Sequence, residues 1–550
     1  MDRLKHSLLL LCLLSIINCP AQTKQDTIKL LQQTAGLYDL NYTDAEADSM
    51  IANIASWRRI YVRMHQQLPK NDIPFPFAFD PAPYGYKIPV RQEKINWNIP
   101  SGIQLPTNRN ELAFYSILQL ASLVKNKKIS SVELTQFFIE RLKKWGDTLA
   151  SVITLTEDFA LQQARQADEE IRKGKYRGPL HGIPYGLKDL FAVKGYRTTW
   201  GTTPYKDQVI DEDAYVYTKL KEAGAVLCAK LTMGALAYNN KWFGGETKNP
   251  WNLLQGSSGS SAGSAASVVA GLLPFTIGTE TLGSIVSPST RCGATGLRPT
   301  FGTVSRSGTM VLCWSLDKAG PICRSAEDDA IVYYYIKGTD GKDAGSKDHA
   351  FNYNPAKDIK KLRFAYAANY FSRLPKDAPE WQVLEVYKSM GIEVKPVVFP
   401  DSIYTSNFIS IILNAESAAA FDELTRTNRD DLIERQDKDF WPNSFRAARL
   451  IPAVEYINAN RYRYQLSKSI QEFMGNYDVL IVPTFAGSQL SITNLTGNPV
   501  VCMPMGFNKN GLPVSISLLG NLYDEASILE AAKAYQDLTD HHKKHPALFQ

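Results

Sequence analysis

Gly256-Ser257-Ser258-Gly259-Ser260-Ser261-Ala262-Gly263-Ser264 opens residues 256–308, the stretch on which the reading of this chain turns. Every residue from Gly256 to Ser267 is Gly, Ser or Ala. By composition alone this is a flexible linker. Yet it runs straight into Ala265–Leu273, apolar and small enough to be a tightly packed helix, and a linker would not feed directly into a core. Glycine and serine here let backbone approach a ligand closely and leave amide N–H groups free. A second glycine-bearing turn follows: Gly278-Thr279-Glu280-Thr281-Leu282-Gly283-Ser284-Ile285, preceded by the short β-favouring Pro274-Phe275-Thr276-Ile277. A strand that ends in a Gly-Ser turn presents a serine hydroxyl beside unpaired N–H groups, which is what acyl transfer requires. The bland alternative is a surface turn.

A third piece lies upstream. Gly182-Ile183-Pro184-Tyr185-Gly186-Leu187-Lys188-Asp189-Leu190 sets Lys188 among apolar, sterically tight neighbours. Most lysines are surface charges. Burial disfavours the ammonium and can lower its pKa by up to about 3–5, and a neutral lysine is a competent general base.

Outward from these segments the chain alternates helix and strand. Leu120 to Trp145 has helical spacing with Ser131 as a plausible cap ahead of Glu133, and a second helix covers Asp158 to Lys173. Tyr215–Ala223 reads as a helix ended by Gly224 and followed by the buried strand Ala225–Ala229. Similar pairs are Trp381–Met390 with Ile392–Val398, and Ser467–Met474 with Val479–Pro483. Such alternation predicts an α/β fold with a largely buried sheet. Residues 338–358 are polar and read as an exposed connection. Toward the N-terminus, Thr43-Asp44 caps a helix to about Gln67, and proline-rich residues 68–106 wrap over a surface without regular structure.

The three segments around Lys188, Ser260 and Ser284 resemble the amidase signature family, whose usual pattern is Gly-Gly-Ser-Ser-Gly-Gly-Ser, then Gly-Thr-Asp-Thr-Gly-Gly-Ser-Ile-Arg. Further blocks are similar too: Cys292-Gly293-Ala294-Thr295-Gly296-Leu297-Arg298-Pro299-Thr300-Phe301-Gly302, Ser315-Leu316-Asp317-Lys318-Ala319-Gly320-Pro321, Gly497-Asn498-Pro499, and Gly511-Leu512-Pro513-Val514 through Leu519-Gly520. Coverage is roughly 110–545. The resemblance implies a single large α/β/α domain, residues 107–550, with a mixed central sheet surrounded by helices. It implies Ser284 as nucleophile and Ser260, held by a cis peptide bond, as the bridge passing protons between Ser284 and Lys188. It also implies an oxyanion hole made of the backbone N–H groups of Thr281, Leu282, Gly283 and Ser284. The expected substrate is a small-molecule or peptide amide, with no cofactor and no metal. Four departures stand out: Glu280 for the usual Asp, Leu282 for a Gly, Val286 for an arginine and Ala262 for a Gly. With apolar Val286 close to acidic Glu280, a changed surrounding shell is expected, and Leu282 reshapes the pocket.

Other readings compete. Gly259-Ser260-Ser261-Ala262-Gly263 satisfies the G-x-S-x-G turn of α/β-hydrolases, making Ser261 the nucleophile of an esterase. Against it, Asn249–Asn252 is a poor strand, and the downstream histidines are few: His349, His541, His542 and His545. His181 reads as a structural imidazole packing a turn, and no His/Asp/Glu cluster has metal-ligand spacing. A non-catalytic amide-binding protein of the same fold is the third possibility, set against intact Lys188, Ser260 and Ser284.

Composition bounds the rest. The chain has 550 residues, 44% hydrophobic and 21% charged, with 61 basic and 55 acidic residues and a net charge of +6. A scattered +6 without a basic run gives no nucleic-acid surface. Arg3 and Lys5 precede an apolar run, Leu8–Ile17, with small Ala21 behind Pro20. This predicts a signal peptide over residues 1–21, cleavage after Ala21, and an exported, periplasmic or secreted protein with an arm over 22–106. Lipoprotein anchoring through Cys19 is disfavoured by Asn18. An export leader also disfavours the family's tRNA amidotransferase role. No other stretch of about 20 apolar residues occurs, so no stable membrane span is expected in the mature form. Cys228 and Cys502 read as core, and the possibility that Cys313 and Cys323 pair stays open.

Overall fold

The computed structural model describes residues 23–67, 71, 73, 77–401 and 406–550. The expected leader, with Cys12 and Cys19, lies outside the described residues. The chain divides into two units, Met1–Lys70 and Asn71–Gln550. In the first, helices Lys24–Gly36 and Asp44–Met64 each open on a capping box, Thr23 with Asp26 and Thr43 with Glu46. Such reciprocal bonds satisfy N–H groups that the helix itself leaves free. Gln32 ties the pair by donating to the Tyr42 carbonyl (3.0 Å) and Asp44 (2.9 Å).

The larger unit is built on one sheet of eleven strands. In chain order these are β1 (Val152–Leu155), β2 (Pro184–Lys188), β3 (Val226–Leu231), β4 (Phe275–Glu280), β5 (Thr295–Arg298), β6 (Lys318–Cys323), β7 (Phe364–Ala367), β8 (Val394–Val397), β9 (Val479–Pro483), β10 (Val500–Phe507) and β11 (Pro513–Leu519). Across the sheet they run β1-β3-β2-β4-β6-β5-β10-β11-β9-β7-β8. Pairs β2/β3, β2/β4, β7/β8 and β7/β9 are parallel and the others antiparallel, so the sheet is mixed, with helices around it. β2, β3, β4, β6 and β9 are buried along their whole length, as sheets covered on both faces must be. No helix among the described residues is long and apolar enough to cross a membrane.

The Gly/Ser/Ala run enters the core: Ala262–Val269 is a helix with every residue buried. Its small side chains are a packing requirement, since a Cβ on Gly263 would run into the Ser151 carbonyl and Thr232. The expected strand after Pro274 is β4. No helix or strand occurs between His65–Gln67 and Arg109–Phe114 among the described residues, as the prolines predict, and residues 77–106 strap onto the rest of the larger unit. There Tyr86 donates to the Leu522 carbonyl (2.8 Å) and Gln92 to that of Phe351 (2.7 Å).

Several expectations need correction. The single helical run Leu120–Trp145 is two helices, Ile117–Lys125 and Ser131–Leu149. The second is capped by Ser130, not Ser131, because the reciprocal bond needs a spacing of three to Glu133. The helix before β9 begins at Ala453, well ahead of Ser467. The connection 338–358 is not simply exposed: His349, Phe351 and Tyr353 are buried, with His349 bonded to the Tyr333 hydroxyl at 2.7 Å. Asn252–Gly256 is a short strand in a ribbon with Lys248–Asn249, apart from the main sheet. Cys228, Cys292, Cys313, Cys323 and Cys502 are all buried free thiols, so Cys313 and Cys323 do not pair.

Candidate active site

Lys188 closes β2, and adjacent β4 supplies Thr279. The Lys188 Nζ lies 2.7 Å from Ser260 Oγ, 2.9 Å from Thr279 Oγ1, 3.2 Å from Ser261 Oγ and 3.3 Å from the Thr279 carbonyl. The lysine is wholly buried. Burial brings its pKa down to about 7, against the opposing pull of Asp317 and Glu280. A neutral amine keeps a lone pair, so at such a pKa the short contact to Ser260 can run with the hydroxyl donating to nitrogen.

The Gly259–Ser260 peptide bond is cis. The Ser260 carbonyl accepts from the Gly234 N–H at 3.2 Å, and the Ser284 carbonyl accepts from the Ser261 N–H at 3.2 Å. A hydroxyl contact, Ser258 to Ser287 at 2.8 Å, adds a second tie between the serine run and the turn that carries Ser284. Lys188, Ser260 and the Ser284 backbone are thus brought together from three segments of chain. Ser284 is 7% exposed, whereas Ser260 is 1% exposed and Ser261 is fully buried.

The Ser261 nucleophile reading fails on this geometry. Its hydroxyl is committed to β4, donating to the Thr279 carbonyl (3.1 Å) and accepting from the Thr279 N–H (3.2 Å), with Lys188 beside it. A group so enclosed is a strut for the lysine. His181 is likewise structural: its Nδ1 accepts from the Arg177 N–H at 3.1 Å, and burial, then Arg177, lowers its pKa to about 4.

The loop between β4 and helix Val286–Cys292 is folded by Glu280. One carboxylate oxygen accepts from the N–H groups of Ile285 (2.9 Å) and Val286 (3.0 Å). The other meets Arg298 (2.8 Å) and Asn494 (2.9 Å). Burial alone would raise this pKa; Arg298, Lys318 and the hydrogen bonds outweigh it and hold Glu280 at about 2. No acceptor among the described residues takes the N–H of Thr281, Leu282, Gly283 or Ser284. Four unclaimed donors on a tied loop are what an oxyanion hole needs. The Thr281 hydroxyl donates to Asp317 (2.6 Å), whose other oxygen accepts from the N–H groups of Leu312 (2.8 Å) and Cys313 (3.0 Å).

Thr279, Asp317, Arg298 and Asn494 carry these contacts, and sequence reasoning assigned none of them a role. Asp317 and Arg298 stood inside recognisable blocks, a signal that could have been followed. Asn494 and Thr279 carry no local signature. The expected effect of Val286 takes a specific form: β5 supplies a cation, Arg298, to Glu280.

The comparisons with known proteins follow this architecture. The family model described as Amidase matches residues 133–492. A glutamyl-tRNA(Gln) amidotransferase subunit of Methylococcus capsulatus is 33% identical over 78% of this chain and 98% of its own length. The solved peptide amidase of Stenotrophomonas maltophilia has a TM-score of 0.70 and 29% identity, covering 78% of this chain and 97% of that one. An amidase family protein from Bacillus anthracis, at 24% identity and TM-score 0.70 over 82% of this chain and 99% of that one, shares the fold. With the family model spanning most of the chain and the mixed sheet matched in solved structures, this protein belongs to the amidase signature family, hydrolases that act on amide C–N bonds.

Proposed function

We propose that this chain hydrolyses a carboxamide through an acyl-enzyme on Ser284, with Ser260 and Lys188 relaying protons. The observation that carries the reading is the buried Lys188 Nζ at 2.7 Å from Ser260 Oγ with its pKa lowered by burial to about 7. Ser284 Oγ attacks the amide carbon as its proton passes to Ser260, whose own proton passes to Lys188. The carbonyl oxygen gains the electron pair and is held by the N–H groups of residues 281–284. Removing one such donor typically costs about 2.7–4 kcal/mol of transition-state stabilisation. Collapse breaks the C–N bond, and the proton on Lys188 returns through Ser260 to the departing amine. Water then repeats the sequence on the ester and frees Ser284.

Labelling by a fluorophosphonate tests this. Wild type takes one label, and Ser284→Ala takes none and loses amide hydrolysis. Full activity in Ser284→Ala, or no labelling under conditions that label peptide amidases, would end the proposal and favour a binding protein.

The likeness to a glutamyl-tRNA(Gln) amidotransferase favours a second reading, in which this chain releases ammonia from glutamine inside a complex. Glutamine hydrolysis that appears only after a partner protein is added would support it. Steady hydrolysis of simple amides by the isolated chain supports the first reading. Export is part of the proposal, resting on residues 1–21 alone; protein found only in a bacterial host's cytoplasm with Met1–Ala21 intact would count against it.

A further inference from the structure

The geometry points to Tyr238 as a specificity-determining residue that seats an aromatic or bulky apolar group of the amide substrate. This rests on the proposed chemistry at Ser284 and names the substrate class that chemistry serves.

The segment that carries Tyr238 is unusual in its backbone. Leu236 (φ 47°), Ala237 (φ 62°) and Asn239 (φ 62°) all occupy the left-handed region, which side chains disfavour. Such backbone persists only where surroundings enforce it, and it concentrates at ligand sites. Here the enforcement comes from the site itself. The Gly234 N–H donates to the Ser260 carbonyl at 3.2 Å. The Asn239 carbonyl oxygen packs so tightly against Gly259 that a Cβ there would run into it. On the other side, the Leu236 N–H donates to the Trp200 carbonyl (3.0 Å), and Trp441 Nε1 donates to the Leu236 carbonyl (3.0 Å). Tyr238 is therefore one residue from a direct contact with the residue preceding Ser260.

Its ring ends a string of aromatics. Phe440 lies 5.0 Å away and Trp441 5.2 Å, and Trp441 stacks on Phe445, which stacks on Phe421. Those four are 0–5% exposed, but Tyr238 is 41% exposed. An exposed ring backed by buried aromatics, one residue from the contact with Gly259, offers stacking and apolar burial to a flat group. Leu282, two residues before Ser284, is part-buried and packs against the apolar cluster that contains Val286, Leu316 and Leu495.

The test compares propionamide, 3-phenylpropionamide (ring on the acyl side) and N-benzylpropionamide (ring on the amine side) on the full chain. Wild type should prefer one ring-bearing amide, and Tyr238→Ala should cut its kcat/KM relative to propionamide about tenfold or more, mainly through KM. Tyr238→Phe keeps the ring and should hold the wild-type ratio, which also guards against a folding defect. The result also tells which side of the bond the ring serves. An unchanged ratio in Tyr238→Ala, or an equal loss in Tyr238→Phe, overturns the assignment. If wild type labels with fluorophosphonate and cleaves all three amides alike, the Ser284 chemistry stands and the Tyr238 assignment falls. If it neither labels nor cleaves, both fall.

Discussion

Glu280 and Arg298 meet at 2.8 Å with neither side chain exposed to solvent. Glu280 ends β4 and Arg298 ends β5, with β6 between the two strands. The pair would be a costly way to hold two strands, since desolvation of both charges offsets much of their attraction. Its value lies in the second carboxylate oxygen. By accepting from the N–H groups of Ile285 and Val286, Glu280 pins both ends of the five-residue turn that carries Ser284. Arg298 in turn donates to the Asn498 carbonyl at 3.0 Å, tying the pair to the segment before β10.

Replacing Arg298 should therefore damage stability and site together. Arg298→Met leaves a buried carboxylate without its cation, an uncompensated charge that costs about 3–5 kcal/mol. Urea denaturation is expected to show that loss, and fluorophosphonate labelling of Ser284 should slow. A variant as stable as wild type would mean that Glu280 is held by Asn494 and the backbone alone.

The same carboxylate gives a pH signature. Its folded pKa, about 2, lies below the ordinary value of 4.5. A depressed carboxyl pKa contributes stability that is fully present above the unfolded value and disappears as pH falls through the folded one. Melting temperature should accordingly fall between about pH 4.5 and pH 2 more steeply in wild type than in a Glu280→Gln/Arg298→Met double variant. Parallel curves in the two proteins would remove Glu280 as the source.

Much of this was legible in sequence because it is local. The Gly/Ser/Ala run reads as a linker by composition, and its passage straight into Ala265–Leu273 favoured the packed helix that the structure has at Ala262–Val269. Lys188 stood out because its neighbours are apolar. The helix–strand pairs before β3, β8 and β9 followed from periodicity and glycine stops. What stayed hidden depends on distance along the chain: Asn494 reaches Glu280 across 214 residues, and nothing beside either residue advertises the other. Adjacent serines were hard for a different reason. Ser130 and Ser131 can both cap by residue type, and only the spacing to Glu133 separates them. Tyr238 was invisible because left-handed Leu236 and Ala237 have no composition signal; the surrounding contacts impose that backbone.

Ser260 and Ser261, neighbours in the chain, should respond differently to alanine. Ser260→Ala removes the hydroxyl nearest Lys188 and should lower kcat by about 10²–10⁴, the usual contribution of a positioned proton-transfer group. Ser261→Ala leaves the Thr279 N–H without its partner, costing about 1–3 kcal/mol of stability, with a smaller fall in kcat. Chemical denaturation paired with steady-state kinetics separates the two. Equal kinetic losses with no stability difference would mean that both hydroxyls move protons.

The rate should climb as pH rises through about 7, the folded pKa of Lys188. Below that value Nζ is protonated, has no lone pair and cannot take the proton that Ser260 hands on; each further drop of one pH unit lowers the neutral fraction about tenfold. Above it the lysine is neutral and the profile flattens. Linkage gives a matching stability trend with its own sign. The unfolded lysine, near 10.5, still binds a proton where the folded one has lost it, so stability rises with pH from about 7 to about 10.5. Lys188→Met abolishes both trends and should cut kcat/KM by about 10²–10⁴. The measurement is kcat/KM against pH on one simple amide, with Ser284 labelling followed over the same range. Labelling and turnover should share the inflection, because both need Ser284 deprotonated through Ser260. A rate that grows as the solution is acidified to about pH 5 requires a protonated catalyst, and a buried neutral amine could not then be the base.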